Sequence, residues 1–429
     1  MENKKTVGYW SAVSIGIGGM VGGGIFAVLG LAVNLSHGGA PIAFVIAGFV
    51  ALITAYSYSK LSVTFPSSGG TVEFLNQGLG TGVLTGGLNI LLWISYVVML
   101  SLYSYAFGSY GATFFPESDQ TFWRHILTSA VIISFTLLNF LSAKIVGKSE
   151  EVIVIIKILI LVGFVVIGFW SVQFDKFEPS TWGPPVALMA GGMIIFLAYE
   201  GFELIANTAG DVKNPKKVLP RAFYTSVLFV IGLYVMVSIV TVGNLSVDKI
   251  VESQDFALAE SAKPFLGHVG FVIIAIAALL STGSAINATL YGASRISYII
   301  AKTGELPKQL ERKIWNRPVE GLIITSVFTL IIANLFDLTS IAIMGSAGFL
   351  LIFAAVNFAN FRLYKKTYSK KWISLIGCIV CFISLGVLIW ESKITSPENI
   401  WIFVIMVGIA FVTEIVYRKI ANRCHKCNY

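Results

Sequence analysis

Apolar runs of about 20 residues or more, nearly free of charge, follow one another along most of this chain. A run of that length is what crosses a ~30 Å hydrocarbon core as a helix. Inside such a core every backbone N–H and C=O has to be satisfied within the protein, which leaves helix bundles as the fold for segments of this kind. The runs fall at about 8–33, 40–64, 83–113, 123–143, 150–171, 184–208, 221–243, 267–301, 319–336, 340–363, 372–390 and 398–418. Only 12% of the 429 residues are charged, about half the fraction of a soluble domain. No polar stretch is long enough to form a separate soluble domain. The expectation is an all-α membrane protein of twelve transmembrane helices, a single integral membrane domain over residues 1–429.

The net charge of +8 is a topology signal and implies no nucleic-acid partner. Alternate loops hold Lys4, Lys5, Lys144, Lys148, Lys213, Lys216, Lys217, Lys302, Lys308, Arg312, Lys313, Arg317, Lys365, Lys366, Lys370 and Lys371, against only Arg124, Lys176, Lys249, Lys263 and Lys393 on the other side. By the positive-inside rule both termini are expected in the cytoplasm, with the chain multi-pass in the cytoplasmic (inner or plasma) membrane. The apolar stretch after Met1–Thr6 is too long for the core of a secretory signal. Cys378 and Cys381 sit inside a span and Cys424 and Cys427 in the tail, with no cysteine in the outer loops. No disulfide-linked partner subunit is expected. Cys424-His425-Lys426-Cys427 lacks the further ligands of a tetrahedral site, so neither a metal nor a cofactor is expected.

Two spans carry interruptions. The first reads Gly16-Ile-Gly-Gly-Met-Val-Gly-Gly-Gly-Ile-Phe26, with six glycines in nine positions. Each weakens a helix by about 1 kcal/mol relative to alanine, and contiguous glycines favour a break over close helix packing, which uses glycines spaced by four. The sixth places Glu200 and Glu203 between the apolar flanks Val186–Ala198 and Leu204–Ala209. An intramembrane carboxylate costs several kcal/mol unless it is paired, hydrated or protonated. Breaks in spans one and six are what a five-plus-five inverted repeat places at the substrate site near the midplane. The repeats would cover about 8–171 and 184–363, with two extra helices over about 372–418. Lys157 lies two turns into span five. It either snorkels to the membrane face or points inward, as an amine able to load and release a proton.

These segments resemble the amino acid–polyamine–organocation superfamily, whose fold is the LeuT type. Gly22-Gly-Gly-Ile-Phe26 is similar to that family's G-x-G-I-F motif. Phe196-Leu-Ala-Tyr-Glu-Gly-Phe-Glu203 is similar to its F-x-A-Y-x-G-F-E/D segment. Asp211-Val-Lys-Asn-Pro-Lys-Lys-Val-Leu-Pro-Arg221 resembles E-V-K-N-P-x-x-x-x-P-R. Tyr291-Gly-Ala-Ser-Arg-Ile-Ser-Tyr298 with Ala301-Lys-Thr-Gly-Glu-Leu-Pro307 resembles the A-S-R…A-x-x-G-x-L-P ending of span eight. The four motifs, in order, cover most of spans one to eight.

The resemblance implies secondary active transport of an amino acid by alternating access, with proton coupling. The amides of Gly22, Gly23 and Gly24, at the start of the second half-helix, would meet the substrate carboxylate, where free N–H groups and the helix dipole favour an anion. Carbonyls near Ile17 and Met20, and those of Leu197, Ala198 and Glu200, would meet the ammonium. Tyr199 and Phe202 would shape the pocket or a gate. The gate position, often aromatic in the family, is Leu197 with Phe196 beside it. Glu200 stands where relatives commonly carry an apolar residue: it would favour a cationic substrate side chain, be protonated, or face away. Lys157 matches a lysine of proton-coupled members, and Ser281, Thr282 and Ser284 are its candidate partners. Glu203 resembles an acidic residue tied to pH sensing, or is a structural carboxylate. The loop Lys213–Lys217 would hold the cytoplasmic turn, and Arg295 would pair with a carboxylate such as Asp211.

Other classes fit less well. No intramembrane cluster of His, Cys and Asp has ligand or triad spacing, so an enzyme is not expected. A channel would not need Lys157, Glu200 and Glu203 in a narrow site. Exchange, polyamine transport and amino acid sensing without turnover stay open as alternatives.

Overall fold

A computed structural model describes residues 6–141, 146–302, 304 and 319–420. Lys4, Lys5, Lys144, Pro307, Lys308, Arg312, Lys313, Arg317 and the tail residues Cys424, His425 and Cys427 lie outside the described residues. The helices are α1 (Tyr9–Met20), α2 (Gly24–Ser36), α3 (Ala40–Thr64), α4 (Thr71–Leu79), α5 (Val83–Ala112), α6 (Gln120–Leu141), α7 (Val146–Gly168), α8 (Pro185–Phe196) and α9 (Leu204–Asn207). They continue as α10 (Pro215–Asn244), α11 (Val247–Glu252), α12 (Ala257–Glu260), α13 (Lys263–Lys302), α14 (Val319–Leu335), α15 (Leu338–Arg362), α16 (Tyr364–Thr367), α17 (Lys371–Thr395) and α18 (Pro397–Ile420).

Among the described residues ten helical stretches are long and apolar enough to cross a membrane, and the bent pair α1 and α2 makes an eleventh. The expected ninth span appears as α14, at 17 residues short of the usual crossing length. Several boundaries differ by a few residues from those expected, and two have a clear cause. Residues 215–220, expected in a loop, open α10, because Pro215 takes the first helical position, where its missing N–H costs nothing. The eighth span turns at Gly267, whose φ of +62° suits glycine alone at low cost.

Burial sorts the spans. The stretch Pro185–Asn207, α5 and α15 are mostly enclosed, whereas α6 and α18 present most of their apolar surface outward. Trp170, Trp390, Trp401, Phe122 and many aliphatic side chains are exposed on that outer surface, as a lipid-facing belt requires. The interior brings α1 against α10 and α7, α8 against α2 and α3, and α5 against α13 and α15. The two interrupted spans therefore meet at the centre.

Candidate functional site

In the first span only Val21–Gly23 leave the helix, and the axis bends by 45°. The other glycines of the run remain helical because they serve contact. A β-carbon at Gly201 would sit 2.2 Å from the carbonyl carbon of Gly19, and one at Gly24 would sit 2.7 Å from the Cα of Ala198. Backbone thus packs on backbone between the first and sixth spans, and a side chain at Gly201 has no rotamer that relieves the clash.

The carbonyls at this break would be unpaired inside the protein, and side chains from three helices bind them. Lys157 Nζ donates to the Gly18 carbonyl at 3.0 Å. Tyr234 of α10 donates to the Met20 carbonyl at 2.6 Å, with the Ala198 carbonyl at 3.5 Å from the same hydroxyl. Ser281 of α13 reaches the Val21 carbonyl at 2.9 Å and that of Gly22 at 2.5 Å. The Ile17 carbonyl accepts from the Val21 amide at 2.7 Å. Lys157 is buried, so it points inward and does not snorkel. Of its candidate partners, Ser281 serves the same break, Thr282 turns back to the Ala278 carbonyl of its own helix at 2.6 Å, and Ser284 is half-buried.

The sixth span behaves differently. Leu197–Glu203 tightens into a 3₁₀ helix that runs on into α9. The segment expected to break therefore keeps its backbone hydrogen-bonded, through i→i+3 pairs. Its polar demand lies in its side chains. Glu203 accepts from Tyr58 at 3.1 Å and Thr71 at 3.1 Å on one oxygen, and from Tyr96 on the other. Thr71 is delivered by Gly70, whose φ of +46° starts α4 against Asn207, where a β-carbon would lie 2.0 Å from Oδ1. Glu200 is 3% exposed and its Oε2 has no hydrogen-bond partner. Tyr199 donates to the Phe44 carbonyl of α3 at 3.2 Å and packs on Tyr234. Phe202 joins an aromatic cluster with Tyr58, Phe223 and Phe353. Phe196 also packs on Phe353, while Leu197 lies against Gly345 of α15. Tyr58, Thr71, Tyr96 and Tyr234 were not legible as site residues in the sequence.

A cavity of about 550 Å³ runs along α1 as far as Gly18 and Gly19, lined also by Ser11, Ser14, Asn207 and Arg295 among others. No ion pair joins Arg295 to Asp211. The Asp211 carbonyl instead accepts the amides of Thr6 and Val7 at 3.0 Å each, and Lys213 returns a bond to Val7 at 2.9 Å, so this loop straps down the segment that leads into α1. At the other end of the first span the turn Gln254–Phe256 packs on α2, where a β-carbon at Gly30 would lie 2.4 Å from the Gln254 carbonyl oxygen. Arg124 holds that turn, 3.8 Å from Asp255 and 2.7 Å from the Tyr105 hydroxyl. Burial raises the Asp255 carboxyl above the ordinary range, against the opposing pull of Arg124.

The chain matches the model of a family described as amino acid permease over residues 7–411. It is similar to an uncharacterized protein of Methanocaldococcus jannaschii, 36% identical over 430 residues that cover 100% of this chain and 98% of the relative. An inner membrane transport protein of Escherichia coli (YbaT) is 36% identical over 380 residues, 88% of each chain. A methylthioribose transporter of Bacillus subtilis is 24% identical over 436 residues, 97% of this chain and 94% of the relative. With nearly its whole length matched, this multi-span chain belongs to the amino acid permease family, a family of transporters rather than enzymes.

Proposed function

We propose that this permease is a secondary active transporter that carries α-amino acids across the cytoplasmic membrane by alternating access, driven by protons through Lys157. The observation that carries the reading is the pair of helix ends at Val21–Gly23. The carbonyl end of α1 and the amide end of α2 face one gap, so a cationic and an anionic group are favoured within three residues of each other. A zwitterionic α-amino acid has those two groups at that separation. The carboxylate goes to the amides of Gly22–Gly24, and the ammonium to the carbonyls of Ile17 and Met20 together with Leu197, Ala198 and Glu200.

Tyr234 already spans the Met20 and Ala198 carbonyls, and the ammonium takes over those acceptors when substrate binds. The cavity beside Gly18 and Gly19, with the turn Gln254–Phe256 packed at the far end, supports access from one face at a time. The Lys157–Gly18 bond supports proton coupling: the ammonium holds the break, and proton loss releases it. The architecture we assign is one membrane domain of twelve spans. It comprises inverted repeats at about 8–171 and 184–363, two further helices, and both termini in the cytoplasm.

The test is uptake of radiolabelled amino acids, putrescine and methylthioribose into proteoliposomes, with and without an inward proton gradient. Saturable accumulation of an amino acid that needs the gradient, and loses that need in Lys157→Ala, is the expected result. Entry of putrescine or methylthioribose alone would overturn the carboxylate assignment. Uptake only into amino-acid-preloaded vesicles would make the protein an exchanger.

A further inference from the structure

We propose that Glu200 is a specificity-determining residue that receives the cationic side chain of a basic α-amino acid such as lysine, ornithine or arginine; this rests on the amino acid reading above. Glu200 and Glu203 are three residues apart in one 3₁₀ turn, a spacing that places both on the same face. Their surroundings are opposite. Glu203 has hydroxyl donors on both carboxylate oxygens, supplied by Tyr58, Thr71 and Tyr96. Glu200 is equally enclosed, has an orphan Oε2, and takes part in none of the ion pairs of the described residues.

Among the described residues, the titratable groups that interact electrostatically with Glu200 are Glu203 on its own turn, Tyr96 and Tyr103 on α5, and Tyr58 on α3. None of these is a cation. Lys157 is committed to the Gly18 carbonyl. A buried carboxylate without a cation or donors is among the most costly arrangements a protein can hold, and a protonated carboxyl would still leave an oxygen unpaired.

Location decides which cation completes the site. The Tyr103 ring lies against the first-span break, where a β-carbon at Gly23 would sit 2.3 Å from its Cδ1. Glu200 stands two residues beyond Ala198, whose Cα a β-carbon at Gly24 would meet at 2.7 Å, so it belongs to the turn that packs on that break, beside the acceptors assigned to the ammonium. An α-amino acid held by its backbone groups at Val21–Gly23 has its side chain within reach of that turn. A terminal ammonium or guanidinium on a flexible stem supplies the donors that Oε2 lacks.

The experiment compares L-lysine with L-norleucine, which has the same carbon chain without the terminal amine, in proteoliposomes of the full-length wild type and of Glu200→Gln. The wild type is expected to prefer lysine by about tenfold or more in kcat/KM, the worth of about 1.4 kcal/mol of differential binding. Glu200→Gln is expected to erase most of that preference. Equal use of the two, or preference for norleucine, by the wild type would overturn the proposal without any variant having to fold. Loss of gradient dependence in Glu200→Gln with the lysine preference intact would overturn it in favour of a proton-carrying role. Uptake of a neutral amino acid but not of lysine overturns this assignment alone, whereas uptake of no amino acid overturns the transport reading as well.

Discussion

The two interrupted spans solve the same problem in opposite ways. In the first, three residues leave the helix and the backbone becomes the polar group in need, so Lys157, Tyr234 and Ser281 bind its carbonyls. In the sixth, the backbone stays paired by tightening to a 3₁₀ helix, and the polar groups in need are two carboxylates, one satisfied and one orphaned. The first interruption is therefore a backbone break whose carbonyls are held by donors from other helices. The sixth is a backbone-paired turn against which that break packs. A break held from outside can be released by changing one donor, and in the proposed mechanism that donor is Lys157.

The largest effect should come from the seam between them. Gly201→Ala puts a methyl group 2.2 Å from the Gly19 carbonyl carbon, and backbone on both sides cannot yield as a side chain would. Overpacking of this kind costs up to about 3 kcal/mol, and a lower melting temperature with uptake reduced more than about tenfold is expected. An unchanged melting temperature would mean that the spans do not pack backbone to backbone.

Next is the satisfied carboxylate. Glu203→Gln replaces an acceptor of three hydroxyl donors with a group that has one acceptor oxygen, and hydrogen bonds to a charged group are worth about 1.5–3 kcal/mol each. A destabilisation of about 2 kcal/mol in denaturant unfolding is expected, against a much smaller cost for Glu200→Gln, which changes a carboxyl whose Oε2 has no hydrogen-bond partner. Equal costs for the two would erase the contrast between these carboxylates. Smaller again is Tyr234→Phe, which strips the donor from the Met20 carbonyl at a cost of about 1 kcal/mol. In the proposed site the substrate ammonium takes over that acceptor, so bound amino acid should restore most of the lost melting temperature. A stabilisation by substrate no greater than in the wild type would argue that Tyr234 and the ammonium do not share the acceptor.

The amphipathic logic of the membrane was legible in the sequence. Runs of apolar residues mark the spans, and the glycine run together with two carboxylates marks where they are interrupted. The form of each interruption was not legible. Six glycines indicated a weak helix, but Gly16, Gly18 and Gly19 remain in α1, because packing against neighbouring helices outweighs their intrinsic cost. Nor could the sequence pair Glu203 with its donors. Tyr58, Thr71 and Tyr96 come from α3, α4 and α5, and a tyrosine within an apolar run carries no mark of which way its hydroxyl turns. Lys157 was found because a charge in such a run demands a reason. Tyr234 was missed because a tyrosine there does not.

The contrast between the two interruptions is tested most directly by hydrogen exchange at the backbone of both, in wild type and Lys157→Ala. Faster exchange is expected over residues 17–24 in the variant, with residues 197–204 unchanged, because only the first interruption loses a side-chain donor. Exchange unchanged in the first segment, or accelerated equally in both, would contradict the claim that Lys157 holds the break.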